Sequence, residues 1–244
     1  MMTVSSSPDR IASAALLEHS GFKRCIYDSG VNSYQETFSK LFNFYSWLNK
    51  RSSTESETLV LDLMSGTNFI RQLHMHGLIS LSGHIVKGIA VGLADTRTRS
   101  SKMEESKMGI YTITSKFDDK NNRVKQVADI SAPWTFRAIK SKQNKHHITN
   151  NFDLIVCRGA GAIEDYILPE RDVYMTYLLN STSLLAQGGV FLSQLDPRIN
   201  ALLPFINEEF TDRGFMVRIS PGKGERNNTI DSIKDLTTIK IIKK

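Results

Sequence analysis

The sequence predicts an α/β fold, a doubly wound and mostly parallel sheet whose last strands are antiparallel, with helices added at the amino end. Three observations predict it. Short apolar runs alternate with helical stretches over residues 59–195. Two of those runs, GIAVGLA at 88–94 and FDLIVC at 152–157, are apolar almost throughout, as strands covered on both faces are. The tail then changes to two β-rich runs, 215–219 and 237–242, separated by a polar segment holding Pro221, Gly222 and Gly224. At 244 residues the chain is within the size that one hydrophobic core sustains.

Residues 8–19 read as a helix with Ser7 as N-cap, Pro8 in the first helical position and Gly21 as the stop. Residues 34–48 read as one helix, with Phe38, Leu41, Phe42, Tyr45 and Leu48 at helical spacing. The polar stretch 51–58 is a linker into the first strand, 59–63. A helix over 67–75, with Phe69, Ile70 and Leu73 on one side, and a second strand over 88–94 complete a parallel βαβ unit. Residues 97–108 are a polar helix or loop, 124–128 a third strand, and 133–140 a helix opened by Pro133. The fourth strand is 152–157, and a helix over 173–186 is closed by Gly188 and Gly189. A fifth strand at 190–195 precedes helical residues 197–210 and the antiparallel ending. The expected division is a helical extension or lid at 1–52 and a main domain at 53–244.

No apolar run approaches the ~20 residues a membrane helix needs. The apolar patch at 11–17 has Asp9 before it and no basic cluster, so it reads as part of the first helix rather than a leader. Two cysteines, Cys25 and Cys157, make no disulfide framework and suit a reducing, cytoplasmic setting. The net charge is +6. Much of it gathers between Lys116 and Lys145, where eight Lys/Arg stand against three Asp, with His146 and His147 following. No aromatic-interleaved basic motif accompanies them, so a solvated basic surface is the plainer explanation and an anionic partner the alternative.

In a sheet of this kind a ligand sits beyond the carboxyl ends of the strands, where the strand order reverses. After the first strand come Asp62, Met64, Ser65 and Gly66; after the second, Asp95; after the third, Asp129; after the fourth, Arg158, Gly159 and Gly161. Three successive strands thus end on an aspartate. Each has a plainer explanation as well: Asp62 and Asp95 as caps of the elements that follow, Asp129 as a cap for the helix at Pro133, and Arg158 as a surface partner of Glu164 or Asp165.

This pattern resembles the class I S-adenosylmethionine-dependent methyltransferases. Asp62-Leu63-Met64-Ser65-Gly66-Thr67-Asn68 is similar to their first motif, keeping its acid, central glycine and threonine, with Met64 and Asn68 at the places of its other glycines. Asp95, with Thr96 beside it, falls where the family holds the ribose hydroxyls. The segment from Ala128 to Trp134, with Asp129 and Ile130, looks like the adenine-contacting stretch, and the strand at 152–157 like the one before the substrate-facing loop. The likeness runs from about Leu59 to the carboxyl end. It implies a seven-stranded, Rossmann-like methyltransferase fold, S-adenosylmethionine as cofactor, and a cofactor site of Asp62, Met64, Ser65, Gly66, Asp95, Thr96, Asp129, Ile130, Arg158 and Gly159.

The residue types suit those tasks. One carboxylate accepts both hydroxyls of a ribose, and a charged acceptor roughly doubles each bond. Acids also suit a ligand bearing a sulfonium and an ammonium, while a glycine turn at a helix start lets backbone N–H groups approach a carboxylate. The expected activity is methyl transfer to a small-molecule or protein nucleophile, because Arg158-Gly159-Ala160-Gly161 stands where an Asn/Asp-Pro-Pro-aromatic motif marks many DNA and amino-group methyltransferases. Transfer from a sulfonium rests largely on positioning, so no catalytic residue is singled out. Tyr27, Tyr34, Glu164 and Tyr166 are candidate substrate contacts at the cofactor mouth. The alternatives are a catalytically inactive cofactor-binding or scaffold protein, and a nicotinamide-dependent dehydrogenase, which needs a G-x-G-x-x-G turn absent here. Cys157 reads as a buried apolar residue, and His74 with His76 lacks a third ligand, so no metal is expected.

Overall fold

The computed structural model describes residues 30–63, 66–92, 97–114, 116–118, 123–125, 133–158, 171–195, 197–222 and 236–244. The predicted helix at 8–19 lies outside them. Helices α1 (Val31–Phe38) and α2 (Phe44–Ser52) lead into strand β1 (Glu57–Leu63). There follow α3 (Asn68–Ser80), β2 (Ile85–Gly92), α4 (Arg99–Lys107), β3 (Ile110–Thr114), β4 (Lys116–Asp118), β5 (Arg123–Lys125), α5 (Pro133–Lys145) and β6 (Phe152–Cys157). The chain ends with α6 (Arg171–Ser183), β7 (Leu185–Leu195), a 3₁₀ turn (Pro197–Leu202), α7 (Leu203–Asp212), β8 (Phe215–Ser220) and β9 (Thr237–Lys243).

Seven strands form one sheet in the order β3-β2-β1-β6-β7-β9-β8. The pairs from β3 to β7 are parallel, and β9 runs antiparallel to both β7 and β8. This is the doubly wound sheet with an antiparallel ending that the sequence predicts. Side chains alternate between its faces with a period of two. From β1, Leu59, Leu61 and Leu63 enter a core shared with Phe136 and Ile139 of α5, Tyr177 and Leu178 of α6, and Ile206 and Phe210 of α7. Val60 faces the other way, into a core built with Tyr34 and Phe38 of α1, Phe44 and Leu48 of α2, and Phe69, Ile70 and Leu73 of α3. Burial of both faces explains the continuous apolar runs.

Four expectations need correction. The stretch 34–48 is two helices, because Asn43 adopts an extended backbone and its side chain accepts the Ser46 N–H at 2.8 Å, capping α2. Gln35 bridges the joint, donating to the Phe42 carbonyl and accepting from the Phe44 N–H. The third strand of the sheet is β3, not 124–128. Its alternating β-branched run IYTIT pairs with β2, whereas Arg123–Lys125 pairs only with Lys116–Asp118 in a separate antiparallel ribbon. The third strand of the sheet thus ends at Thr114, so the three aspartates do not follow three successive strands; Asp129 itself lies outside the described residues. Finally, Gly188 and Gly189 close no helix: α6 stops at Ser183, and the glycines lie inside β7. Gly188 holds φ +73° where the β6–β7 register shifts, a left-handed conformation glycine adopts without a steric cost.

Candidate functional site

The sheet order reverses between β1 and β6, which lie side by side although 88 residues separate Leu63 from Phe152's predecessor. Asp62 and Arg158 stand at the carboxyl ends of these two strands. Asp62 is the penultimate residue of β1, in register with Ala90 of β2 and Val156 of β6. It has the parity of Val60, so it points toward α1 and α3, and it is fully buried. The Tyr34 hydroxyl donates to the carboxylate, lying 2.9 Å from Oδ1 and 3.0 Å from Oδ2.

Aromatic packing holds Tyr34 there. Its ring stacks on Phe69 of α3 at a centroid distance of 4.3 Å, and Phe44 meets it edge-on at 6.4 Å. The Arg158 guanidinium lies over the same ring, 5.2 Å from its centroid, and also donates to the Ser33 hydroxyl. α1 is tied to α3 as well, through the Val31 N–H and the Gln72 side-chain oxygen at 2.7 Å. The amino-terminal helix thus brings Ser33 and Tyr34 to the end of the sheet where β1 and β6 finish.

Gly66 follows β1, and a Cβ placed on it meets nothing within 4 Å among the described residues. Thr67 next to it is buried and donates to Glu105 Oε1 at 2.6 Å. Glu105, the buried residue of the otherwise polar helix α4, pairs through its other oxygen with Arg97, which in turn donates to Thr112 of β3. One carboxylate therefore joins the segment after β1 to the segment after β2 and to the end of β3. Sequence patterns gave no sign of Phe69, Ser33 or Glu105 as members of this region.

Of the residues expected at the site, the structure brings Asp62, Tyr34 and Arg158 together and places Gly66 at the turn after β1. Met64, Ser65, Asp95, Thr96, Asp129, Ile130, Gly159, Tyr27, Glu164 and Tyr166 lie outside the described residues. Cys157 is buried at the end of β6. His74 faces the sheet with its Nδ1 2.7 Å from the Val86 carbonyl, and His76 packs beside Tyr45 on the surface.

Among the described residues β9 is the strand that runs against the others, and it lies second from the edge of the sheet. The solved structures with a similar fold include S-adenosylmethionine-dependent methyltransferases. The chain is similar to such an enzyme from Clostridium acetobutylicum, at 12% identity, covering 87% of this chain and 98% of that one, with a TM-score of 0.43. It is similar to a ribosomal RNA methyltransferase, putative, from Plasmodium falciparum, at 12% identity, 82% and 94% coverage and a TM-score of 0.43. A methyltransferase, putative, from Streptococcus mutans, in complex with S-adenosylhomocysteine, matches at 11% identity, 84% and 99% coverage and a TM-score of 0.36. No family model and no curated protein matches the sequence. Among the described residues no helix is long and apolar enough to cross a membrane.

Proposed function

We propose that the chain binds S-adenosylmethionine beyond the carboxyl ends of β1 and β2 and transfers its methyl group to a small-molecule or protein nucleophile. The observation that supports this reading is the site's place: Asp62, Gly66 and Arg158 flank the point where the strand order reverses. The donor set fits the cofactor. Asp62 would supply negative charge, Gly66 with Met64 and Ser65 would offer backbone N–H groups before α3, and Arg158 with Gly159 would place a cation toward the substrate. Asp95 and Thr96 would hold the ribose, while Asp129 and Ile130 join as adenine contacts by resemblance alone. When bound, the cofactor supplies an electrophilic methyl on a sulfonium. The chain's own contribution is to orient that methyl and exclude water around it.

In this reading residues 1–52 form an extension to a cofactor domain at 53–244, and Tyr34 of that extension reaches the site. Tyr27, Glu164 and Tyr166 complete the proposed acceptor side, and a reducing, cytoplasmic setting belongs to the same proposal. A second reading, a cofactor-binding or scaffold protein without activity, is favoured by one observation: both oxygens of the Asp62 carboxylate lie on Tyr34, beneath the surface.

Calorimetry with S-adenosylmethionine, S-adenosylhomocysteine and NAD tests the proposal. Binding of the first two and not the third is expected. Tight NAD binding would make the chain a dehydrogenase-like protein, and no binding at all would leave the scaffold reading.

A further inference from the structure

Helix α5 crosses from the carboxyl-end rim of the sheet to its amino ends, since it precedes β6 and the residues just after it lie beside the first residues of β1 and β2. Its inner face is apolar, burying Phe136 and Ile139. Its outer face is cationic. Arg137, Lys140 and Lys145 are exposed, and Trp134 is 52% exposed at the rim end. At 100° per residue these four side chains fall within an arc of about 140° on one side of the helix. The helix contains no acidic residue. Among the described residues Arg137, Lys140 and Lys145 make no ion pair. Lys142 and Lys145 suit the negative end of the helix dipole, but Arg137 and Lys140 stand mid-helix, where the dipole gives a cation nothing. At the far end the track runs into a groove of about 250 Å³ lined by Lys107, His146 and His147 and by Lys87, which pairs with Glu57 in the same wall. His146 stacks on Tyr111 at 3.6 Å, and its imidazole is held below the ordinary 6.5, first by burial and then by the charges of Lys142 and Lys145.

We propose that the outer face of α5 is a docking surface for single-stranded nucleic acid, with Trp134 as a stacking platform and Arg137, Lys140 and Lys145 meeting successive phosphates. The helix extends about 20 Å, enough for several nucleotides of an extended strand. An acidic polypeptide would meet the same cations, yet it has no use for an exposed indole at the end of the track. A base does, because every base has a face to stack. The inference does not depend on methyl transfer.

The test is fluorescence anisotropy of a fluorescein-labelled oligouridylate of about 12 nucleotides, titrated with the full chain, without cofactor, over a series of salt concentrations, with poly-glutamate as competitor. Binding that weakens with salt is expected, each phosphate contact contributing a slope of about −0.7. The variant carrying R137Q, K140Q and K145Q is expected to bind more weakly and to flatten the slope by about 2. Trp134→Ala is expected to lower affinity roughly tenfold and leave the slope unchanged. Arg137, Lys140 and Lys145 are exposed and Trp134 is half-exposed, and melting temperatures report whether each variant stays folded. Unchanged affinity and slope in the triple variant would overturn the proposal. So would poly-glutamate competing as well as unlabelled oligouridylate while Trp134→Ala has no effect, which would assign the face to acidic polypeptides.

Discussion

Tyr34 and Asp62 carry the most consequential contact in the molecule, a hydroxyl shared between two oxygens of a buried carboxylate. A buried acceptor deprived of its donor loses its replacement for water. Tyr34→Phe keeps the ring on Phe69 and removes only that donor, so a stability loss of about 1–3 kcal/mol is expected in urea unfolding. A variant as stable as the parent would show that the hydroxyl contributes nothing. The second residue-scale expectation concerns the ribose contact of the proposed site. Asp95→Ala should weaken S-adenosylhomocysteine binding by about 1.5–3 kcal/mol, as for the loss of a charged hydrogen-bond partner. An unchanged dissociation constant in calorimetry would remove Asp95 from the site. The acid at position 62 is legible in the sequence as a polar intruder in an apolar run. Its partner is not: Tyr34 lies 28 residues earlier, and the two meet only because β1 parity aims the carboxylate at the face α1 covers.

At the scale of elements, α4 shows how a polar helix docks without an apolar stripe. Glu105 is its buried residue, held by Thr67 and Arg97. Removing one member of a buried ion pair strands the other, so Glu105→Ala is expected to cost about 3–5 kcal/mol of folding stability by chemical denaturation. A loss below about 1 kcal/mol would mean the pair is solvated and does not hold α4. The amino ends of the strands carry a second polar cluster. The Thr58 hydroxyl lies 2.8 Å from His84 Nε2, while Asp153 accepts the Leu59 N–H and pairs with Arg51. Burial above all, with help from the Arg51 charge, holds the His84 imidazole below its ordinary 6.5. Its neutral form is therefore the one that folding favours. That stability is complete above about pH 6.5 and is lost as the pH falls below it. Burial holds Asp153 above its ordinary 3.8, and this group has the opposite slope, losing stability as pH rises through its raised value. His84→Gln should flatten the decline in melting temperature below pH 6.5; an unaltered decline would place its origin in other groups.

The elements also show what the sequence alone reveals. β1 and β6 are legible because strands buried on both faces must be apolar throughout. α1 and α2 look continuous because their aromatic residues keep helical spacing across the joint, and only Asn43, a residue suited to capping, marks the break. β3 escapes notice as five residues between polar neighbours, Gly109 on one side and the ribbon strands on the other. The glycines of β7 resemble a helix stop when the bulge that needs them is out of sight.

For the whole molecule, the sheet order and its antiparallel ninth strand give a doubly wound fold, and sheets of this kind take ligands where the strand order reverses, here between β1 and β6. The proposed docking face on α5 belongs to the same scale, a cationic helix on a chain of net charge +6. The most direct measurement of the central claim is a crystal structure of the protein soaked with S-adenosylhomocysteine. The ligand is expected beyond the carboxyl ends of β1 and β2, its ribose against Asp95 and its amino-acid end near Asp62 and Gly66. A cleft that stays empty at saturating ligand, or a ligand bound at any other edge of the sheet, would contradict it.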